Sequence, residues 1–117
     1  MIAIIDDEKA MRDSLRDLME AAGLVAQCFG SAEEFLESNL HNKAGCLIVD
    51  VRMLKMSGLQ LQAKLKEEGC TTPIIFITAH GDARMRIKAM REGAVEFLTK
   101  PFDHNLLLKT VRAAFDM

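Results

Sequence analysis

The sequence predicts a doubly wound α/β domain, in which a parallel five-stranded sheet is flanked by five helices. Five short apolar runs alternate with segments whose apolar residues recur at helical spacing, which is typical of consecutive strand–helix units. The clearest run, Cys46–Val49, is apolar without interruption, as expected of a strand buried on both faces of a parallel sheet. Right-handed crossovers are expected throughout, and they restrict the topology further.

The first half of the chain contains two strand–helix units before the central strand. Strand Ile2–Ile5 precedes a helix predicted over Glu8–Ala22, and Gly23 suits its C-terminal cap. A weaker strand covers Leu24–Phe29. The segment Ser31-Ala-Glu-Glu34 has the form of a capping box and predicts the start of a short second helix.

The second half repeats the alternation. The predicted elements are a third helix that begins at a capping box, Ser57-Gly-Leu-Gln60, and ends at Gly69; a fourth strand, Pro73–Ile77; a helix capped by Asp82 that runs to Glu92; a fifth strand, Ala94–Leu98; and a last helix capped by Asp103, with Leu107, Val111 and Phe115 on its inner face.

Composition excludes several classes of function. A chain of 117 residues is the size of one domain, and its net charge of −2 provides no general attraction to nucleic acid or acidic membranes. Its three cysteines, without a CxxC motif, favour a reducing compartment over a disulfide framework or a zinc site. No apolar run approaches the roughly 20 residues of a membrane span, so a cytoplasmic protein is expected.

Polar side chains follow four of the predicted strands. They are Asp6 and Asp7 after the first, Asp50 after the third, Thr78 after the fourth and Lys100 after the fifth. Because the carboxyl ends of parallel strands share one edge of the sheet, where α/β domains bind ligands, we expect these residues to converge.

Three carboxylates at one edge repel each other. At roughly 5 Å and an effective dielectric near 20, each pair costs on the order of 3 kcal/mol, which Lys100 offsets only in part. A divalent cation or a raised carboxyl pKa must offset the rest, and oxygen ligands favour Mg²⁺. A cation, a lysine and a hydroxyl around Asp50 suit phosphoryl transfer to that carboxylate. Taken alone, Asp6-Asp7-Glu8 after a strand is more often a helix cap and a solvated first turn than a functional site, and the functional interpretation depends on all the strand ends together.

At this point the sequence resembles the receiver domain of bacterial two-component response regulators, over essentially the whole chain. Any one of the matching motifs is weak evidence, but all five in order are highly specific. They are Ile5-Asp-Asp-Glu8, Leu47-Ile-Val-Asp-Val-Arg-Met53, Met56-Ser-Gly-Leu59, Ile77-Thr-Ala79 and Gly93-Ala-Val-Glu-Phe-Leu-Thr-Lys-Pro-Phe102. The resemblance implies a flavodoxin-like sheet order of 2-1-3-4-5 and a receiver domain that covers residues 1–117.

The resemblance also implies the site residues. Asp50 would be the phosphoacceptor. Mg²⁺, or Mn²⁺ in its place, would be bound by Asp7, by Asp50 and by the backbone carbonyl of Arg52, with Asp6 assisting through water.

Further residues would contact the phosphoryl group or surround it. Thr78 and Lys100 would bind the phosphoryl oxygens, and the small Ala79 would leave the site open. Arg52 and His80 would tune hydrolysis of the acyl phosphate, or would simply be solvated. The Lys100–Pro101 peptide bond would be cis.

The implied protein is a switch rather than a conventional enzyme. It would support its own phosphotransfer and autodephosphorylation and would receive its phosphoryl group from a sensor histidine kinase. Thr78 would move toward that group, and Phe97 would turn inward from the surface and alter the face formed by helix 4, strand 5 and helix 5. Plain packing is the alternative interpretation of Phe97.

The output is expected to be transcriptional. Family members often dimerise through the helix 4–strand 5–helix 5 face. Gly30-Ser-Ala-Glu-Glu-Phe-Leu36 and Thr78-Ala-His-Gly-Asp82 most resemble transcription-controlling receivers of the nitrogen-fixation-regulator type. By analogy, DNA would be bound only through a separate output domain, and no membrane contact is expected.

One residue departs from the family pattern, and other functions stay open. Leu54 stands where family members commonly have proline, which predicts a more mobile loop and leaves the metal affinity and loop geometry in doubt. An aspartyl-nucleophile phosphohydrolase typically needs a carboxylate two residues after its nucleophile, where this chain has Arg52. A nucleotide-binding domain would need a glycine-rich first turn, whereas this turn is Asp6-Asp7-Glu8, which repels phosphates. The full set of site residues argues against a receiver-like interaction domain that never becomes phosphorylated.

Overall fold

The computed structural model describes residues 1–79 and 81–115. Five parallel strands form one sheet in the order β2-β1-β3-β4-β5, which confirms the predicted fold. The elements are β1 (Ile2–Ile5), α1 (Lys9–Ala21), β2 (Ala26–Phe29), α2 (Ala32–Glu37), β3 (Cys46–Asp50), α3 (Gly58–Glu67), β4 (Ile74–Thr78), α4 (Ala83–Arg91), β5 (Glu96–Thr99) and α5 (His104–Phe115).

Alternate residues of the central strands fill two separate cores. One core holds Ile48 of β3 together with residues of α1 and α5, such as Leu15 and Val111. The other holds Val49 of β3 together with residues of α2, α3 and α4, such as Leu61. The sheet is therefore covered on both faces, which explains why its central strands are apolar without interruption.

Two strands, β2 and β5, begin two residues later than predicted, and both do so for the same reason. The amide of Leu24 donates to the carbonyl of Met19 at 2.9 Å, and that of Ala94 donates to the carbonyl of Ala89 at 3.0 Å. Each residue thus helps to end the preceding helix, because carbonyls in the last turn have no partner within the helix. The chain becomes a strand only afterwards, at Ala26 and at Glu96.

The helix caps agree with the sequence except in detail. Ser57 and Gln60 form the complete capping box that their spacing predicts, and Asp82 caps α4. Ser31 accepts the amide of Glu34, but the Glu34 carboxylate bonds to the amide of Gly30, so only half of the first predicted capping box forms.

The inner face of α5 also differs from the prediction. Leu107 and Val111 are buried as predicted, but the third inner residue is Ala114, and Phe115 is 38% exposed. Phe115 instead lies against Gly45, where a side chain would collide with its ring. Within residues 1–79 and 81–115, no helix is long and apolar enough to cross a membrane.

Candidate functional site

Three carboxylates meet at the carboxyl edge of the sheet. Asp6 and Asp7 directly follow β1, and Asp50 is the last residue of the adjacent strand β3. One carboxylate oxygen from each lies within 4.8 Å of the others. Asp6 is fully buried and Asp50 is 7% exposed, whereas Asp7 is exposed. The convergence predicted for the three carboxylates is therefore present in the structure.

Lys100 brings a positive charge to the same place from the end of β5. Its Nζ lies 3.5 Å from Asp6 Oδ2 and 3.8 Å from Asp50 Oδ2, and its side chain is 16% exposed. One ammonium between two buried carboxylates leaves the group of four side chains with a net negative charge when all are ionised. The site therefore favours a further cation.

Burial and mutual repulsion alter the acidity of the two buried carboxyls. Burial, followed by the negative charge of Asp6, raises the pKa of Asp50 from 3.8 to about 6, against the opposing effects of Lys100 and the Arg52 amide. Burial also raises the pKa of Asp6, which the Glu8 amide and Lys100 partly counter. Asp50 is thus a more basic carboxylate than an exposed aspartate, and it ionises near neutral pH.

Backbone amides hold the carboxylates in place. The Arg52 amide donates to Asp50 Oδ1 at 3.2 Å, and the Glu8 amide donates to Asp6 Oδ1 at 2.9 Å. The second oxygen of Asp50 faces Lys100. Asp50 therefore has one oxygen fixed by the backbone and the other directed at the cationic side of the site.

The loop after β3 is attached to the site by contacts that the sequence analysis missed. The Leu54 amide donates to Asp7 Oδ2 at 3.1 Å, a bond that proline could not form. The Met56 amide donates to Glu33 Oε2 of α2, also at 3.1 Å. The lack of proline at position 54 predicts a more mobile loop, and the structure shows that the Leu54 amide also attaches this loop to Asp7. A short sequence pattern does not show such a bond, since 47 residues separate its partners.

Gly58 allows α3 to begin directly beside the phosphoacceptor candidate. A Cβ atom at position 58 would lie 2.5 Å from the Asp50 carbonyl oxygen. The Gly58 amide donates to the Val51 carbonyl at 2.8 Å, which draws the start of the helix onto the end of β3. The glycine of the Met56–Leu59 motif is therefore required by packing around Asp50.

The remaining predicted residues differ in their exposure. Thr78 is fully buried, Phe97 is 2% exposed, and Ala79 and Arg52 are exposed, whereas His80 lies outside the described residues. The Phe97 ring is already inside the protein, 6.3 Å from the ring of Phe76 between centroids. The peptide bond before Pro101, next to Lys100, is cis, the form that the family resemblance implies.

The donor set suits a hard divalent cation. All three clustered side chains offer carboxylate oxygens, and no cysteine or histidine belongs to this cluster of described residues. Oxygen donors with one or two carboxylates directly engaged are the usual environment of Mg²⁺ in proteins. Asp6, Asp7 and Asp50 therefore fit such an ion.

Regulatory proteins of known sequence resemble the whole chain. It is 48% identical over 117 residues to the response regulator protein TodT of Pseudomonas putida, covering all of this chain and 52% of that protein. It is 44% identical over 113 residues to the transcriptional regulatory protein TdiR of Thauera aromatica, covering 97% and 50%. The chain thus spans about half the length of these relatives.

Solved structures share the fold at similar levels of identity. The low-resolution structure of the response regulator StyR superposes with a TM-score of 0.91 and 41% identity, over 98% of this chain and 58% of that one. The crystal structure of FixJ-N gives a TM-score of 0.88 and 35% identity, over 98% and 92%.

A family model described as the response regulator receiver domain matches residues 2–112. That range contains all five strands and the carboxylates that converge at their ends. The relatives and the shared fold agree with this match. The chain therefore belongs to the response regulator receiver domain family.

Proposed function

We propose that the chain is a phosphorylation-dependent switch in which Asp50 accepts a phosphoryl group from a phosphohistidine of a sensor histidine kinase. The observation that carries the proposal is the position of Asp50 at the edge of the sheet, with Lys100 Nζ 3.8 Å from its Oδ2. In the transfer, Asp50 Oδ2 forms the new O–P bond while the P–N bond to histidine breaks, and the imidazole keeps the electron pair of that bond.

Asp6, Asp7, Asp50 and the Arg52 carbonyl would hold Mg²⁺, or Mn²⁺. When bound, the cation would neutralise charge on the phosphoryl oxygens. Lys100, whose Nζ lies 3.8 Å from Asp50 Oδ2, and Thr78, the last residue of β4, would bind the phosphoryl oxygens, and the small Ala79 would leave the site open. Arg52 and His80 are the residues we propose to tune hydrolysis of the acyl phosphate.

Contacts between β5 and α4 support a switch through Thr78 and Phe97. Arg86 of α4 donates to the Phe97 carbonyl at 2.9 Å and lies 3.6 Å from the Glu96 carboxylate. A movement of β5 at Phe97 would therefore act directly on α4 through Arg86. The added phosphoryl group brings about −1.5 to −2 charges, enough to draw the Thr78 hydroxyl toward it.

Exposed apolar side chains on the same face suit dimerisation after phosphorylation. Ile87 and Met90 of α4 are 55% and 38% exposed, and Leu106 of α5 is 45% exposed. Because the chain spans about half of its relatives, we assign DNA binding to a separate output domain. The relatives named as transcriptional regulators support control of transcription as the output. We assign this activity to the cytoplasm, in keeping with the receiver domain family.

Incubation with acetyl phosphate and Mg²⁺, followed by intact-mass measurement, tests the proposal. One labile phosphoryl group is expected on the wild-type chain and none on Asp50→Ala. Asp17→Ala, which removes an exposed carboxylate of α1, is the matched control and should be phosphorylated like the wild type. Phosphate retained by Asp50→Ala would disprove the assignment. Release of phosphate from unrelated phosphomonoesters would instead support a phosphohydrolase.

A further inference from the structure

Gly81 lies between β4 and α4 and packs against both residues of the proposed switch. A Cβ atom at this position would lie 2.6 Å from Thr78 Cγ2 and 2.8 Å from Phe97 Cε1. Real Cβ atoms essentially never approach another heavy atom closer than 3.0 Å. The space that a side chain would need at position 81 is therefore taken by Thr78 and Phe97.

Packing, rather than backbone conformation, makes glycine necessary here. The glycines with a positive φ in the described residues are Gly23, Gly69 and Gly93, and each has nothing within 4 Å of an added Cβ. Gly81 is the opposite case, because its φ is not in the left-handed region while its surroundings are full. Substitution by alanine at position 81 thus tests steric fit without backbone strain.

The surroundings of Phe97 determine which group must yield. On its inner side the ring meets Phe76, which is fully buried, with 6.3 Å between the ring centroids. The Phe97 backbone is held by the sheet and by Arg86. The ring cannot move deeper, and the strand cannot move aside without breaking these bonds. Thr78, whose Cγ2 is nearer still, is fully buried at the end of β4 and has no open space to enter. The response left to the core is rotation of the Phe97 side chain outward.

We infer that Gly81 is a positioning residue that permits the buried orientation of Phe97, so that any larger residue at position 81 shifts the ring toward the surface. Overpacking by one methyl group is expected to change the ratio of buried to exposed orientations of the Phe97 ring on the order of tenfold. The claim that Gly81 permits the buried Phe97 ring depends only on the contacts of Gly81 with Thr78 and Phe97. Its consequence for signalling rests on the proposed function, in which a buried Phe97 accompanies phosphorylation.

Ring-labelled phenylalanine NMR measures this directly in the whole chain. The six phenylalanines are labelled with ¹³C, and the Phe97 signal is identified by its loss in Phe97→Leu. Exposure is read from relaxation caused by a soluble gadolinium complex, without any phosphodonor. Gly81→Ala is expected to increase the relaxation of the Phe97 ring several-fold. Gly30→Ala is the control, because its Cβ would meet only side-chain atoms of Glu34 and Arg12, at 3.3 Å or more.

A double-mutant cycle separates the contact from general destabilisation. Thr78→Ser removes the methyl group nearest to position 81 and keeps the hydroxyl. The loss of stability caused by Gly81→Ala, measured in urea, should shrink in the Thr78→Ser background and shrink further when Phe97→Leu is added. If Gly81→Ala alone does not fold, folding must return in the triple variant. Additive losses, no return of folding, or an unchanged Phe97 relaxation in folded Gly81→Ala would each overturn the inference.

Failure of the proposed function has a different signature. It would appear as absence of a phosphoryl group on the wild-type chain, whatever the relaxation of Phe97. If Asp50 is phosphorylated and Gly81 positions Phe97, acetyl phosphate with Mg²⁺ leaves the Phe97 ring of the wild type protected from the gadolinium complex. In Gly81→Ala the ring stays exposed to the complex under the same conditions. Protection of the ring in phosphorylated Gly81→Ala equal to that of the wild type would count against Gly81.

Discussion

Replacing Asp50 by asparagine should make the protein more stable at neutral pH in the absence of Mg²⁺. The change keeps the size of the side chain and removes a charge that is nearly buried and lies near the carboxylates of Asp6 and Asp7. Most substitutions at a buried position destabilise a protein, so a gain here would be specific to the electrostatics of the site.

The size of the gain follows from the acidity of Asp50. Its pKa is 3.8 in the unfolded chain and about 6 in the folded one, so folding favours the protonated form. The stability that this preference provides is complete below pH 3.8 and is lost as the pH rises through about 6. Each pH unit of pKa difference is worth 1.36 kcal/mol, so the ionised side chain costs the folded state about 2 to 3 kcal/mol above pH 7.

Urea denaturation at several pH values, with EDTA present, measures the effect. Asp50→Asn should raise the free energy of unfolding by about 2 to 3 kcal/mol at pH 7.5 and by almost nothing at pH 4. Asp17→Asn makes the same change in net charge at an exposed position and should change stability by less than about 0.5 kcal/mol. Added Mg²⁺ should stabilise the wild type more than Asp50→Asn and narrow the difference.

Two results would refute this reasoning. Equal stability of Asp50→Asn and the wild type at pH 7.5 would mean that the site already compensates the charge of Asp50 without a cation. A gain that persists at pH 4 would mean that it arises from packing or hydrogen bonding, because wild-type Asp50 is largely protonated there.

Three further substitutions test other parts of the site and its support. Lys100→Met should raise the pKa of Asp50 above about 6, as followed by carboxyl NMR titration, because it removes the cation 3.8 Å from Oδ2. Gly58→Ala should destabilise the protein by about 1 to 3 kcal/mol in urea, because its Cβ would meet the Asp50 carbonyl at 2.5 Å. Gln62→Leu should cost about 1 kcal/mol, measured in the same way, because Gln62 Nε2 donates to the Ala89 carbonyl at 3.0 Å between α3 and α4.

The fold could be predicted because its three central strands are buried on both faces. Such strands must be apolar throughout, so β3 is recognisable from Cys46–Val49 alone, and the change to a carboxylate at Asp50 marks the edge of the sheet. Parallel topology then brings the polar strand ends together without further information. Asp6, Asp50 and Lys100 could be placed in one site for that reason.

Features that depend on distant contacts could not be predicted in this way. The start of β2 depends on whether Leu24 ends α1, and the exposure of Phe115 depends on the room beside Gly45. Leu54 illustrates the limit best. Its side chain is 79% exposed, so its residue type gives no sign of a structural role. Its backbone amide nevertheless donates to Asp7. The partner of a backbone amide cannot be predicted from the identity of the side chain.

The site and the core behind it are connected through β4 and β5. Thr78 ends β4 at the carboxyl edge of the sheet, and Phe76, two residues before it, packs against Phe97 of β5. Arg86 of α4 donates to the Phe97 carbonyl and so joins β5 to α4. The path from the charged edge to the outer helix therefore consists of four residues and passes through a closely packed core. Because such a core accommodates discrete arrangements rather than gradual ones, we expect a movement at Thr78 to change the packing around Phe97 in a discrete step.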